Sequence, residues 1–153
     1  MTVVLGHRAA EIALAIGDLG VEVVDNRDWP QGQASSVRCG VATVRGRCRS
    51  AVFVPADQPF VDAALVDRLV ERQSTTGGGI VVPRCGGRRG APVLFDVRFF
   101  DELEALTGDE GGRQLLHRHP TAVVEIEVDD ERVLFDADDP VRLRQLAGLA
   151  DSP

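Results

Sequence analysis

Short, unbroken apolar runs alternate along this chain with stretches whose apolar residues recur at helical spacing. The unbroken runs predict buried strands, and the helical spacing predicts amphipathic helices. Strands that alternate with helices at these lengths predict an α/β fold of the three-layer, Rossmann-like kind, with a mostly parallel sheet and helices on both faces. The expected strands cover residues 2–5, 21–24, 51–54, 80–82 and 122–128, and the expected helices cover 9–16, about 35–44, 62–73, 97–106, 111–118 and about 141–149.

Three expected loops lie at or near the carboxyl ends of strands, where parallel sheets bind their ligands. They are residues 25–36, 56–59 and 136–140. The second is the best functional candidate, because it follows directly on the apolar run 51–54, which predicts a buried strand. In the first loop, Ser35 and Ser36 are expected to cap the next helix.

Length and composition are those of a single globular domain, since the chain has 153 residues of which 44% are hydrophobic. The net charge of −7 argues against a nucleic acid partner, because such binding depends on cationic side chains. No apolar run approaches the roughly 18 residues that span a bilayer, so a cytoplasmic protein without membrane contact is expected. Cys39, Cys48 and Cys85 are spaced too widely for a thiolate metal site and are expected to be reduced.

Asp57 is the candidate for metal chemistry. It follows an expected strand and precedes a proline turn, so its carboxylate could face a cleft from a rigid backbone. Mg²⁺ prefers carboxylate oxygens together with phosphate oxygens and water, and a second acid would come from Asp136, Asp138 or Asp139. The local sequence leaves an alternative open, in which Asp57 begins a turn and caps the following helix while the later acids cap the last one.

A cationic loop is the second candidate, formed by arginines and glycines between residues 84 and 90. Arg84, Arg88 and Arg89 could clamp an anionic substrate, since guanidinium groups bind carboxylates and phosphates through paired hydrogen bonds. The alternative is an ordinary surface hairpin of arginine and glycine.

The loop 26–36 carries two further candidate features. Trp29 could pack against a nucleotide base or anchor the loop on the core. Gly32, Ser35 and Ser36 could present donors to an anion at a helix N-terminus, or could begin an ordinary helix. The histidines show no acidic partner and no zinc-type spacing, and are expected at the surface or at helix ends. They are His7, His117 and His119.

Five blocks of sequence form an ordered series: NRDWPQGQASS at 26–36, ADQP at 56–59, GGRRGAPVLF at 86–95, LTGDEG at 106–111 and DADDP at 136–140. The series resembles the MobA-like nucleotidyltransferases. Within that family it is most similar to the molybdenum cofactor cytidylyltransferases, and the likeness extends over essentially the whole chain.

The resemblance implies a nucleotide-diphospho-sugar transferase-like fold. It also implies transfer of CMP from CTP to the terminal phosphate of a molybdopterin-type cofactor, with release of pyrophosphate and no covalent enzyme intermediate. Carried over by position, Asp57 and Asp138 would be the catalytic carboxylates that bind Mg²⁺ and neutralise phosphate charge. In the same way, Asn26, Trp29, Gly32, Ser35 and Ser36 would bind the nucleotide, and Arg88, Arg89, Gly90 and Asp109 would bind the pterin substrate.

The chain departs from the family pattern at three places. The family's segment Leu-Ala-Ala-Gly-x-Ser-x-Arg-Met-Gly has no counterpart in the chain. The family's lysine has none either, because the chain contains no Lys. Residues 1–153 are therefore expected to form one domain that lacks the first strand, the phosphate loop and the first helix. Ala56 stands where the family usually has Gly, and its methyl group could crowd the approach of the backbone to phosphate. Ala91 stands where the closer relatives have His, which removes a polar group from the loop expected to face the pterin.

A missing central strand would expose strand edges, which a second copy in a homodimer or a rearranged sheet would have to cover. Three functions stay open at this point. The chain could be a nucleotidyltransferase whose reading frame starts upstream of Met1, a non-catalytic molybdenum cofactor carrier that serves a molybdoenzyme, or an inactive truncated homologue. The choice between CTP and GTP, like the choice of acceptor, depends on loop geometry that the sequence does not give.

Overall fold

The computed structural model describes residues 1–137, which fall into two compact units. The first unit contains Met1–Ala51 and Asp96–Ala122, and the second contains Val52–Phe95 and the described residues 123–137. The expected helix at about 141–149, together with Asp138 and Asp139, lies outside the described residues. The single domain over residues 1–153 stays a prediction.

A pair of parallel strands forms the sheet of the first unit. Strand β1 (Thr2–Leu5) pairs with strand β2 (Glu22–Asp25), in register from Thr2 opposite Glu22 to Leu5 opposite Asp25. Helix α1 (Ala9–Ala15) lies between them in the chain. All three elements form within a residue of where the hydrophobic pattern predicts them. Because the strands are parallel, both carboxyl ends lie at one edge of this small sheet.

Helix α2 (Gln33–Val44) packs on β1 and on helix α4 (Phe100–Glu104). The predicted helix 97–106 forms as a 3₁₀ turn followed by α4, and helix α5 (Arg113–Arg118) follows it. Arg38 in α2 reaches the residues just after α4, where its guanidinium group donates to the carbonyl of Leu106 over 2.7 Å. The buried apolar residues of this unit are Leu5, Ala34, Val41, Phe99, Phe100, Leu103, Leu106, Leu115 and Leu116.

A mixed sheet forms the second unit. Its strands are β3 (Ser50–Phe53), β4 (Ile80–Cys85), β5 (Arg88–Arg89), β6 (Val93–Asp96) and β7 (Val123–Glu127). The order is β3-β6-β4-β5, and β7 also pairs with β4. Strand β7 is parallel to β4, whereas β5 and β6 are antiparallel to it. Strand β6 was not predicted, because its short apolar run follows a stretch of glycine and proline that indicates a loop.

Helix α3 (Ala63–Thr76) packs on β4 and β7. Asp62 caps it, since the carboxylate accepts a hydrogen bond from the backbone of Leu65 over 2.8 Å. The buried core around α3 consists of Leu65, Leu69, Val81, Cys85, Leu94, Ile126, Val128 and Val133. Strand β3 is half-buried and Val54 is exposed, so the expectation of a fully buried strand at 51–54 was wrong. An apolar run shows that a strand can be buried, whereas the elements packed on the strand decide how much of it is buried. Among residues 1–137, no helix is long and apolar enough to cross a bilayer.

Candidate functional site

Asn26 joins the end of β2 to the first turn of α2. Its backbone N–H donates to the carbonyl of Leu5 over 2.7 Å, which continues the parallel ladder. Its side-chain amide donates to the hydroxyls of Ser35 (2.9 Å) and Ser36 (3.0 Å), and its carbonyl oxygen accepts from the backbone of Asp28 (3.1 Å). Only 4% of Asn26 is exposed. The residue therefore fixes the shape of the loop 26–36 from inside.

Ser35 and Ser36 do not cap α2, so that expectation was wrong. The helix begins at Gln33, with Gly32 as its N-terminal cap residue and no side-chain capping bond. Ser35 lies inside the first turn, where its hydroxyl donates to the carbonyl of Gly32 over 2.8 Å. The physical reason is that the helix begins two residues earlier than expected, so both serines lie inside it, where their hydroxyls accept from the amide of Asn26.

Gly32 lies at the closest backbone contact of this loop. Its φ of 99° and ψ of 179° belong to a region that only glycine adopts readily. A Cβ at this position would lie 2.4 Å from the carbonyl oxygen of Gly108 and 2.6 Å from a carboxylate oxygen of Asp109. The same carbonyl of Gly108 accepts from the backbone of Ala34 over 3.0 Å. The structure thus brings together two predicted site residues, Gly32 and Asp109.

Trp29 packs beside the end of β1. Its ring lies against that of His7 in an edge-to-face arrangement, with centroids 5.0 Å apart. A Cβ on Gly6 would lie 2.5 Å from the Cβ of Trp29, so glycine is needed there for the contact. One face of the indole is therefore anchored, while 42% of Trp29 remains exposed. Sequence reasoning missed His7, although the expected parallel pairing of β1 and β2 would have indicated that their ends adjoin.

Asp57 lies in the turn that follows β3 in the second unit, and it is exposed. Its backbone carbonyl accepts from the N–H of Ala137 over 2.7 Å, so the turn is held in place. The alternative in which Asp57 caps α3 is wrong, because Asp62 fills that position. Within residues 1–137 the carboxylate of Asp57 takes part in no ion pair. It is therefore an accessible carboxylate on a backbone that is hydrogen-bonded to Ala137.

Gln58, the residue after Asp57, forms a polar pair with Asp136. The amide nitrogen of Gln58 donates to a carboxylate oxygen of Asp136 over 2.7 Å. Gln58 is buried, with 6% of its surface exposed, and no group among the described residues donates to its side-chain oxygen. Sequence analysis named Asp136 as one alternative and missed Gln58. The two residues lie 78 positions apart, and no local pattern connects them.

Asp57 is the described residue whose chemistry could contribute to a divalent cation site. Within residues 1–137, no three side chains of His, Cys, Asp or Glu converge as a complete ligand set. Asp57 nevertheless offers the hard oxygen that Mg²⁺ or Mn²⁺ accepts. Because Mg²⁺ completes its shell with phosphate oxygens and water, one or two carboxylates are enough. The donor chemistry of Asp57 fits such an ion.

The arginines between 84 and 90 lie on a hairpin, as the alternative left open by the sequence expected, and their role in binding a substrate stays a prediction. Strands β4 and β5 pair Arg84 opposite Arg89. Arg89 lies 2.6 Å from a carboxylate oxygen of Glu125, and Arg84 lies 3.3 Å from the other oxygen of the same residue. Glu125 thus forms ion pairs with both, and Arg84 also lies 3.5 Å from a carboxylate oxygen of Glu127. Arg88 is exposed, and within the described part of the chain it has no acidic partner.

Gly90 closes the same hairpin and is buried. Its N–H donates to the carbonyl of Pro83 over 2.9 Å, and a Cβ would lie 2.8 Å from the side chain of Leu134. Gly90 therefore holds the hairpin against the segment that leads to Asp136.

His119 has an acidic partner that the sequence did not reveal. Its ring nitrogen lies 2.8 Å from a carboxylate oxygen of Glu102, and the residue ends helix α5. The expectation of no acidic partner was therefore wrong, whereas a position at a helix end was confirmed. Glu102 lies in α4, and the spacing of residues along the chain does not predict contacts between separate helices.

The architecture is that of the nucleotidyltransferases, with parallel strand pairs, covering helices and a carboxylate after a strand end. The chain belongs to the family of the MobA-like NTP transferase domain, which matches residues 1–123. No curated protein sequence gives a significant match.

Solved structures agree with this assignment. Rv0371c from Mycobacterium tuberculosis H37Rv, in complex with manganese, is 32% identical with a TM-score of 0.79, and the match covers 95% of this chain and 75% of that one. Molybdopterin-guanine dinucleotide biosynthesis protein A from Archaeoglobus fulgidus is 17% identical, with a TM-score of 0.63 and coverage of 96% and 77%. The 4-diphosphocytidyl-2C-methyl-D-erythritol synthase from Anaerococcus prevotii is 10% identical, with a TM-score of 0.74 and coverage of 97% and 78%. The last two show the fold alone.

Proposed function

We propose that this chain transfers a nucleoside monophosphate from a nucleoside triphosphate to the phosphate of a small acceptor, with release of pyrophosphate. The observation that carries the proposal is the exposed carboxylate of Asp57, on a turn whose backbone is bonded to Ala137. Bound Mg²⁺ would neutralise the negative charge that accumulates on the phosphate oxygens. Asp57 would hold this ion from one side, and Asp138 would be the second carboxylate.

In the first unit, the loop 26–36 would receive the nucleotide. Asn26 and Ser35 are buried, and their side-chain hydrogen bonds lie within the loop, so their contribution is to hold its shape. Among the residues predicted to bind the nucleotide, Trp29 is exposed and Ser36 is half-buried, so these two side chains can reach a ligand. Gly32 allows close approach to the first turn of α2, whose N-terminus favours negative charge. Asn26 and Ser35 would therefore be positioning residues, whereas Trp29 and Ser36 would touch the ligand.

Acceptor binding would depend on Arg88, Arg89, Gly90 and Asp109. Arg88 is the one best suited to bind an acceptor phosphate, because Arg89 is already paired with Glu125. Gly90 keeps the hairpin in place, and Asp109 is exposed beside Gly32. The proposed acceptor is a molybdopterin-type cofactor and the proposed donor is CTP. The resemblance of the five sequence blocks to the molybdenum cofactor cytidylyltransferases supports both choices.

Pyrophosphate release tests this function. The purified chain would be incubated with Mg²⁺ and either CTP or GTP, in the presence of molybdopterin or of a polyol phosphate as the acceptor. We expect release that requires molybdopterin and is faster with CTP. Asp57→Asn should abolish release, whereas Asp67→Asn, the same change at an exposed position of α3, should leave the rate within twofold.

Two outcomes would change the proposal. Equal release by the Asp57→Asn variant would show that Asp57 has no catalytic role. Nucleotide binding without release from any pair of substrates would favour the cofactor-binding module, which the lack of any lysine in the chain leaves open.

A further inference from the structure

Two segments far apart in sequence contact each other at successive positions in the second unit. They are the turn of residues 55–60 and the segment of residues 132–137. The rings of Phe60 and Phe135 lie edge to face, with centroids 5.7 Å apart. Next to them Gln58 donates to Asp136, and then Asp57 accepts from the backbone of Ala137. Since one residue number falls as the other rises, the two segments run antiparallel through these three contacts.

Gln58 is the buried polar residue of this contact. Its bond to the carboxylate of Asp136 is short, at 2.7 Å, as expected where one partner is an ionised carboxylate. Its other amide atom, the side-chain oxygen, is buried without a donor among the described residues. A buried acceptor without a partner is unfavourable, so an apolar side chain of the same size would suit simple packing better. The amide of Gln58 differs from such an apolar side chain in forming a directional hydrogen bond to Asp136.

We infer that Gln58 is a positioning residue for the proposed metal site. By fixing the carboxylate of Asp136, Gln58 holds the segment 132–137 in the register that lets the N–H of Ala137 reach the carbonyl of Asp57. Both sides of the turn that carries Asp57 are thereby restrained. This inference rests on the proposed function, because its consequence is the presentation of the Asp57 carboxylate to a divalent cation and a nucleotide.

The test compares two properties of the full chain in the same set of variants. Amide exchange of the Ala137 N–H, followed by NMR, reports the contact between the segments. Binding of Mn²⁺ in the presence of CTP, followed by the electron paramagnetic resonance of free Mn²⁺, reports the metal site. In Gln58→Met, which keeps the volume but removes the amide, we expect at least tenfold faster exchange at Ala137 and at least fivefold weaker Mn²⁺ binding.

Asp136→Asn separates positioning from direct metal binding. Its amide oxygen can still accept from Gln58, so exchange at Ala137 and Mn²⁺ affinity should both stay within about twofold of wild type. Gln114→Met is the matched control, because Gln114 is a half-buried glutamine of the first unit whose oxygen accepts from Arg118. It should change neither property. If Gln58→Met does not fold, Gln58→Glu replaces it, since that variant keeps the shape and places a carboxylate against Asp136.

Three results would overturn the inference. Unchanged exchange at Ala137 in the Gln58 variants would show that Gln58 does not hold the segment. Faster exchange with unchanged Mn²⁺ affinity would show that the contact has no bearing on the metal site. A loss of Mn²⁺ binding in Asp136→Asn with unchanged exchange would make Asp136 itself a ligand, and the contact between Ala137 and Asp57 would then not be the means by which Gln58 acts. If wild-type protein bound no Mn²⁺, the proposed function would fail, and exchange at Ala137 would still decide whether Gln58 holds the segment.

Discussion

The side-chain amide of Asn26 lies 2.9 Å from the hydroxyl oxygen of Ser35, and both residues are buried. This bond connects the carboxyl end of β2 to the first turn of α2 across nine positions of sequence. The loop between them is therefore held from within before any ligand binds, which is the preorganisation that a binding loop requires.

Asn26→Ala should destabilise the protein by about 2–4 kcal/mol, because three side-chain hydrogen bonds are lost at about 1 kcal/mol each and buried partners are left unsatisfied. Equilibrium denaturation in urea measures the change. Gln31→Ala is the control, since Gln31 is exposed and donates one bond to Asp28. An Asn26→Ala variant as stable as the control would contradict the role assigned to Asn26.

Gly32→Ala should be far more harmful than Gly20→Ala. Both glycines have positive φ, but Gly20 lies in the left-handed helical region with open space around it. That substitution should cost about 1–2 kcal/mol from backbone strain alone. At Gly32 the new Cβ would also overlap the carbonyl oxygen of Gly108. We expect a melting temperature lower than that of Gly20→Ala and weaker CTP binding. Equal melting temperatures for the two variants would be the contrary result.

Glu22 should contribute to stability in a pH-dependent way. Hydrogen bonds from Arg47 and then Thr2 hold the pKa of this carboxyl below its ordinary value of 4.5. A lowered folded-state pKa means that the contribution is present above the unfolded pKa and is lost as pH falls through the folded one. Glu22→Gln should therefore be less stable than wild type at pH 7, and the gap in melting temperature should close as pH falls below about 4.5. A gap that widens in acid would contradict this assignment.

The hydrophobic pattern predicted the elements whose signals are local. Strand β1, helix α1 and strand β2 form where apolar runs and spacing indicate them. Strand β6 has only three apolar residues after a proline, and its pairing with β4 depends on the hairpin before it. Such a strand is defined by its partner more than by its own sequence. The antiparallel direction of β6 was not predicted for the same reason.

The sequence indicated a candidate residue where a side chain able to bind a metal follows directly on an expected strand, as at Asp57. The local sequence allowed Asp57 to cap α3, and the structure places Asp62 in that position because the helix begins at Ala63. The bonds from Gln58 to Asp136 and from Glu102 to His119 join separate elements, so no spacing rule reveals them. The roles of the site residues in binding nucleotide and acceptor stay predictions.

Calorimetric titration with CTP and with GTP, each with Mg²⁺, tests the central claim most directly. The chain would be compared with Asp57→Ala and with Asp67→Ala, which removes an exposed carboxylate elsewhere in the same unit. The account predicts Mg²⁺-dependent binding of CTP that is retained in Asp67→Ala and weakened at least tenfold in Asp57→Ala. Binding of neither nucleotide, or equal binding by both variants, would contradict it.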